Sequence, residues 1–163
     1  VPPAFRNLLL LLVAGLAGCQ STAPVLRYTG VGAVAFGGSL AETQVLLGES
    51  VAGQVTGAAC QFVEFDALPG LRFMVEDGVI TRADCGPGVR TELGVQVGDT
   101  MDSVVRLYPD VLIRNHDGAL EGVYLLFPAG DGRHSIVMES IGNKIVSIRA
   151  GVEPSVGYVD GCR

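Results

Sequence analysis

Residues 73–83, Phe-Met-Val-Glu-Asp-Gly-Val-Ile-Thr-Arg-Ala, carry two apolar runs on either side of Asp77-Gly78. Asp and Gly tolerate the left-handed backbone of a two-residue turn, so the stretch reads as a β-hairpin. A second stretch has the same form: Ile136-Val137-Met138-Glu139, a turn around Gly142-Asn143, then 145–150, Ile-Val-Ser-Ile-Arg-Ala. Each hairpin follows a further strand candidate, 60–65 and 122–127. Two three-stranded antiparallel meanders are therefore expected, one in each half of the chain.

Upstream of each meander lies a helix candidate, and the two begin 61 residues apart (Gly37 to Gly98). In residues 37–48, Ser39 is followed three positions later by Glu42, a pairing that caps the free amides of a helix start. In 98–109, Thr100 is the hydroxyl residue where the helix would begin, Asp99 with Asp102 could supply the same capping arrangement, and the two helices stop at Gly48 and before Pro109. Met101, Val104, Val105 and Tyr108 share one helical face, suited to packing on a sheet. The expected fold is α+β. Two tandem helix-strand-strand-strand repeats, about 28–91 and 92–163, form an antiparallel sheet with short helices packed on one face.

This element order resembles the superfamily of β-lactamase inhibitor proteins and small outer-membrane assembly lipoproteins. Their repeat opens Gly-Met-Thr, enters a short helix containing Val, and closes near Leu-Gly. Gly98-Asp99-Thr100, Val104 and Leu107 fit that pattern, as do Gly37, Ser39 and Leu47-Gly48. Asp99 and Gly38 stand in place of Met, Thr43 in place of Val, and Pro109 in place of Gly. The run from Leu68-Pro69-Gly70 through 73–78 to the terminal Tyr-Val-Asp-Gly-Cys is similar to bacterial lipoproteins that carry no assigned activity. The resemblance implies a non-catalytic envelope protein. As an alternative it implies an inhibitor that covers an enzyme's active site with a concave sheet.

The N-terminal segment has the three parts of an export signal. Arg6 lies in a short leader, an apolar run covers residues 8–13, and small residues follow at Ala14, Gly15, Ala17 and Gly18. That run is far shorter than the roughly 20 residues a permanent membrane helix needs. Leu16-Ala17-Gly18-Cys19 resembles the lipobox of bacterial lipoproteins. The resemblance implies cleavage before Cys19, a diacylglycerol on its thiol and an acylated new amino terminus. Each buried lipid methylene adds about 0.8 kcal/mol, so several chains together hold the protein at a bilayer where one would not. The expected layout is a signal peptide over 1–18, a lipidated tether over 19–27 and one domain over 28–163. The expected location is the cell envelope, anchored to a bacterial membrane.

Net charge is −6 with no cluster of Lys or Arg, which excludes nucleic acid as a partner because phosphate recognition needs a basic face. With Cys19 lipidated, Cys60, Cys85 and Cys162 remain. In a meander the first and third strands run the same way, so Cys60, starting the first, and Cys85, ending the third, fall at opposite ends. A disulfide needs α-carbons within about 7 Å, which disfavours that pair. Cys60–Cys162 is preferred, since it would tie down a terminal segment, and Cys85–Cys162 is the competitor.

His116 and His134 are the only histidines. His134 neighbours Ser135, but strand neighbours face opposite ways and form no nucleophile–base pair. Asn115 to Asp117 reads as a turn rather than a ligand set, so no metal or cofactor is expected and no catalytic residue is assigned. Glu76 and Glu139 hold matching places in the two hairpins and read as solvent-facing carboxylates. The stretch 115–124, Asn-His-Asp-Gly-Ala-Leu-Glu-Gly-Val-Tyr, has no counterpart in the first half. Its His116 and Tyr124 are the candidate partner-binding residues, for an envelope protein or the cell wall. A small hydrolase is the third and weakest expectation.

Overall fold

The computed structural model describes residues 23–51, 58–116 and 118–162. The export signal and Cys19 lie outside the described residues. In chain order the elements are β1 (Val25–Leu26), β2 (Gly30–Val31), β3 (Val34–Ala35), β4 (Gly38–Ser39), α1 (Leu40–Leu47), β5 (Cys60–Val63), β6 (Leu71–Glu76) and β7 (Val79–Cys85). They continue as β8 (Arg90–Thr91), α2 (Met101–Leu107), β9 (Leu112–Asn115), β10 (Gly122–Pro128), β11 (His134–Ile141) and β12 (Lys144–Val152), closed by a 3-10 turn at Ser155–Gly157.

One eight-stranded sheet dominates, ordered β5-β6-β7-β12-β11-β10-β9, with β4 sharing the β7 edge. Two meanders meet back to back, their last strands antiparallel, with Arg82 opposite Gly151 and Asp84 opposite Arg149. Both hairpins turn where the sequence places them. Asp77 and Gly78 (φ 48° and 81°) and Gly142 and Asn143 (φ 54° and 64°) each supply the paired positive φ of a tight hairpin turn. Each hairpin also has one register shift, at Met74/Val75 and at Glu139/Ser140.

The α+β expectation, with helices packed on one face of two helix-strand-strand-strand repeats, is overturned: strands make up 44% and helix 14% of the structure. The physical reason lies in what the helices bury. Within α1 only Leu40 and Thr43 are buried, while Val45 and Leu46 are 82% and 69% exposed. Within α2 only Val104 is fully buried; Met101 and Val105 lie half-buried against the core. The apolar sheet face, with Phe73, Ile80, Leu125, Ile136, Met138 and Ile148, is covered largely by short strands and loops carrying Leu26, Val31, Val34, Val89 and Val95. The unit itself also differs, because β9 intervenes between α2 and the second meander.

Two smaller differences follow. Thr100, the hydroxyl residue expected at the helix start, caps α2, accepting from the Ser103 amide at 3.3 Å, while Asp99 accepts from the Gln96 amide instead. Asp102 instead exchanges bonds with Asn143 of the second hairpin turn, 3.1 and 2.9 Å. Residues 25–26, within the stretch read as tether, form a strand: β1 pairs parallel with β8, and Leu26 is wholly buried.

Candidate partner-binding loop and the polar sheet face

Side chains alternate across a sheet, so residues skipped by the core line the opposite face. There the register sets Arg72, Asp84, Arg149 and Val137 in one row, and Arg114, Tyr124 and Glu139 in another. Two different covers lie over this polar face.

The first cover is the C-terminal strap, residues 153–162. Arg82, only 3% exposed, forks onto Asp84 through Nε to Oδ1 (2.6 Å) and Nη2 to Oδ2 (3.0 Å). Its Nη1 donates to the strap carbonyls of Tyr158 (2.6 Å) and Ser155 (3.4 Å). Glu76 Oε2 accepts from Thr81 Oγ1 (2.7 Å) and from Ser155 Oγ of the strap. Ser135 Oγ donates to Glu153 Oε1 at 2.6 Å. A disulfide joins Cys60 to Cys162, with α-carbons 5.4 Å apart. Cys85 is free, at the far end of β7 from Cys60, and burial followed by Asp84 pushes its thiol up to about 12. A thiol held protonated is a poor nucleophile, so Cys85 is packing material.

Arg149 shares the strap's shelter with fewer partners. Its Nε donates to Val156 O at 2.7 Å, but Nη2 has no acceptor among the described residues. Burial, reinforced by the Arg82 charge, lowers its pKa from the ordinary guanidinium value. The Tyr124 ring, 5.5 Å from the guanidinium carbon, gives the cation a π face.

The second cover is the β9–β10 connection, residues 116–121. His116 Nδ1 accepts from the amides of Gly118 (2.9 Å) and Ala119 (3.0 Å), so that nitrogen carries no proton. Nε2 therefore holds the ring proton and donates to Glu139 Oε1 at 2.8 Å. The imidazole stacks on Tyr124 with centroids 4.7 Å apart and planes 21° off parallel. Gly122 completes the seat: a Cβ there would come within 2.7 Å of His116 Cβ. The loop folds this way because His116 closes it from inside, satisfying two amides that a tight turn leaves without backbone partners.

Of the two candidate residues, Tyr124 is wholly buried and the His116 side chain is 12% exposed. They form one stack that supports the loop; neither offers a contact surface of its own. What the loop presents is Leu120, fully exposed, beside a cleft of about 560 Å³ lined by Asn115, Gly118, Glu121 and Val123. Sequence reading passed over Leu120 and Gly122, and it misread Glu76 and Glu139 as solvent-facing when both are half-buried and bonded. The signal that could have found Glu139 was His116, which follows β9 with no counterpart in the first half and lies two strands across the sheet from Glu139.

The chemistry available is narrow. With both ring nitrogens engaged, His116 has no site for taking a substrate proton. His134 Nδ1 bonds Asp131 Oδ2 at 2.6 Å, while Asp131 Oδ1 accepts from the amides of Arg133 and His134. Those bonds, the Arg133 amide first, hold the Asp131 carboxyl at about 2 and build the β10–β11 turn. Ser135 faces away from His134 toward Glu153, as strand alternation requires. Compared with known proteins, the chain matches no family model, no curated sequence and no solved structure.

Proposed function

We propose that the protein is a lipid-anchored component of the bacterial cell envelope that binds another envelope protein without catalysing a reaction. The anchor rests on Leu16-Ala17-Gly18-Cys19 behind a short apolar run. The contact site rests on one observation: a loop fixed from within by His116 holds an apolar side chain, Leu120, wholly in solvent. Ordering a loop before association removes part of the entropy that binding otherwise costs. An exposed leucine on such a loop is suited to filling a pocket on a partner. The inhibitor alternative would use aromatic contacts from loops. It has less support, because Tyr124 is buried and Tyr28 and Tyr158 are half-buried.

A photo-crosslinking amino acid at position 120 of the full chain, activated in intact cells, tests the reading. One discrete heterologous adduct is expected, reduced at least fivefold by His116→Ala in the same chain. Absence of an adduct, or an adduct indifferent to His116→Ala, would contradict it. Metabolic labelling with a fatty acid tests the anchor separately, with incorporation expected in the full chain and lost in Cys19→Ser.

A further inference from the structure

Three of the elements that cover the apolar sheet face, β1, α1 and α2, pack inward through Leu26, through Leu40 with Thr43, and through Val104. Each also turns an apolar side chain outward. Val25 of β1 is 38% exposed, Val45 and Leu46 of α1 are 82% and 69% exposed, and Leu107 at the end of α2 is 68% exposed. Helix α1 is thus apolar on both sides, a composition suited to a helix whose outer side also meets something apolar. Leu107 borders a cleft of about 550 Å³ that also involves Tyr28, Phe127 and Pro128.

We infer that this outer layer lies on the bilayer that holds the lipid anchor, with Leu46 and Leu107 in the membrane interface. The inference rests on the reading of Cys19 as acylated. The length of the leash selects a bilayer as the cover. Cys19 stands four residues before Ala23, where the described chain begins, and β1 follows at Val25. Four residues reach at most about 14 Å. That is less than half the width of a domain this size, about 35–40 Å. The leash does not lengthen by peeling β1 away, because β1 pairs with β8 and Leu26 is wholly buried.

An acylated Cys19 therefore keeps the β1 side of the domain against the headgroup layer, which is about 5–8 Å thick. The strap and the His116 loop cover the opposite face of the sheet and point away, leaving Leu120 in water for the protein contact proposed above. Exposed apolar side chains beside a membrane anchor are where the interface replaces water. Charge agrees with this placement. Arg27, directly after β1, and Arg106, beside Leu107, are both exposed, and at headgroup depth their guanidinium groups meet lipid phosphates.

Leu46→Cys, Leu107→Cys and Leu120→Cys, each in the full-length chain, are labelled with a nitrobenzoxadiazole probe, with wild type, which retains Cys85, as the labelling blank. Each protein is reconstituted into phosphatidylcholine vesicles containing a lipid with a nitroxide on its acyl chain near the headgroup. Flotation with the vesicles reads the anchor, and quenching by the nitroxide reads the contact. Wild type should float and Cys19→Ser should not. Probes at 46 and 107 should be quenched at least threefold more than the probe at 120. Protein that floats with all three probes quenched alike, or with only one of positions 46 and 107 quenched, would overturn the contact and leave the anchor standing. Wild type that fails to float would remove the anchor, and the contact with it.

Discussion

Glu76 and Glu139 hold comparable places in their hairpins, Glu76 immediately before its turn and Glu139 three residues before its own, and both hairpins carry a register shift beside them. Their partners are unrelated. Glu76 receives Ser155 from the C-terminal strap, and Glu139 receives the His116 ring from the β9–β10 loop. The strap's fastening is redundant, with Arg82, Glu76, Ser135 and a disulfide all holding it. Among the described residues the loop has one side-chain fastening, the His116 imidazole, beside the backbone bonds His116 N to Gly122 O, Gly122 N to Ala119 O and Gly142 N to Glu121 O. A half-buried carboxylate on a sheet face is thus a fixing point whose use is set by whichever segment crosses it. Redundancy marks the strap as structural, whereas the loop, with one side-chain fastening, can be loosened without unfolding the sheet.

The largest effect should come from the strap. Replacing Cys60 and Cys162 together by Ser opens a loop spanning 102 residues, worth about 4–5 kcal/mol in the chain-entropy account. Urea denaturation should show that loss; a change under 1 kcal/mol would mean the strap is held without its covalent tie. Arg82→Met should cost less, about 3 kcal/mol, by leaving Asp84 to the exposed Arg72 at 3.4 Å and taking the donor from two strap carbonyls. His116→Ala should cost about 1–2 kcal/mol, losing bonds at Gly118, Ala119 and Glu139. Its effect on exchange should be confined to the loop, with the amides of Ile136 and Ile148 still protected.

Two smaller effects concern titration. At about 12, the Cys85 thiol carries roughly a thousandfold less thiolate at neutral pH than an ordinary cysteine at 9.0, so alkylation of the native protein should be correspondingly slow. Because this folded value is raised, its contribution to stability is complete below pH 9 and is lost as pH rises toward 12. Asp131 has the opposite sign. Its folded value is lowered to about 2, so its contribution is present above pH 3.8 and is lost as pH falls toward 2. A carboxyl titration followed by NMR should place its midpoint near 2; an ordinary midpoint would remove the turn's charge-assisted bonds from the account.

Legibility in the sequence followed the range of the interactions. Asp77-Gly78 and Gly142-Asn143 specify their turns locally, and through them the meanders. Helix ends were legible for the same reason at Ser39 and Gly48, where cap and stop are both seen. Helix packing was not, since nothing in residues 40–47 says that Val45 and Leu46 face solvent while short strands from 25–35 cover the core. Tyr124 read as a surface aromatic because its shelter comes from Val156 and His116, distant in sequence. Cys60 and Cys85 could be set at opposite ends of one meander from strand direction alone, whereas the long approach of Cys162 depends on the strap's path across Arg82 and Arg149.

The claim that each carboxylate fastens its own cover is tested most directly by residue-resolved amide exchange in Glu76→Ala and Glu139→Ala. Glu139→Ala should speed exchange at Gly118 and Ala119 at least tenfold while Gly157 and Tyr158 stay as in wild type. Glu76→Ala should leave Gly118 and Ala119 unchanged and loosen only Gly157 and Tyr158. Exchange rising in both segments in either variant, or in neither segment in both variants, would contradict the account.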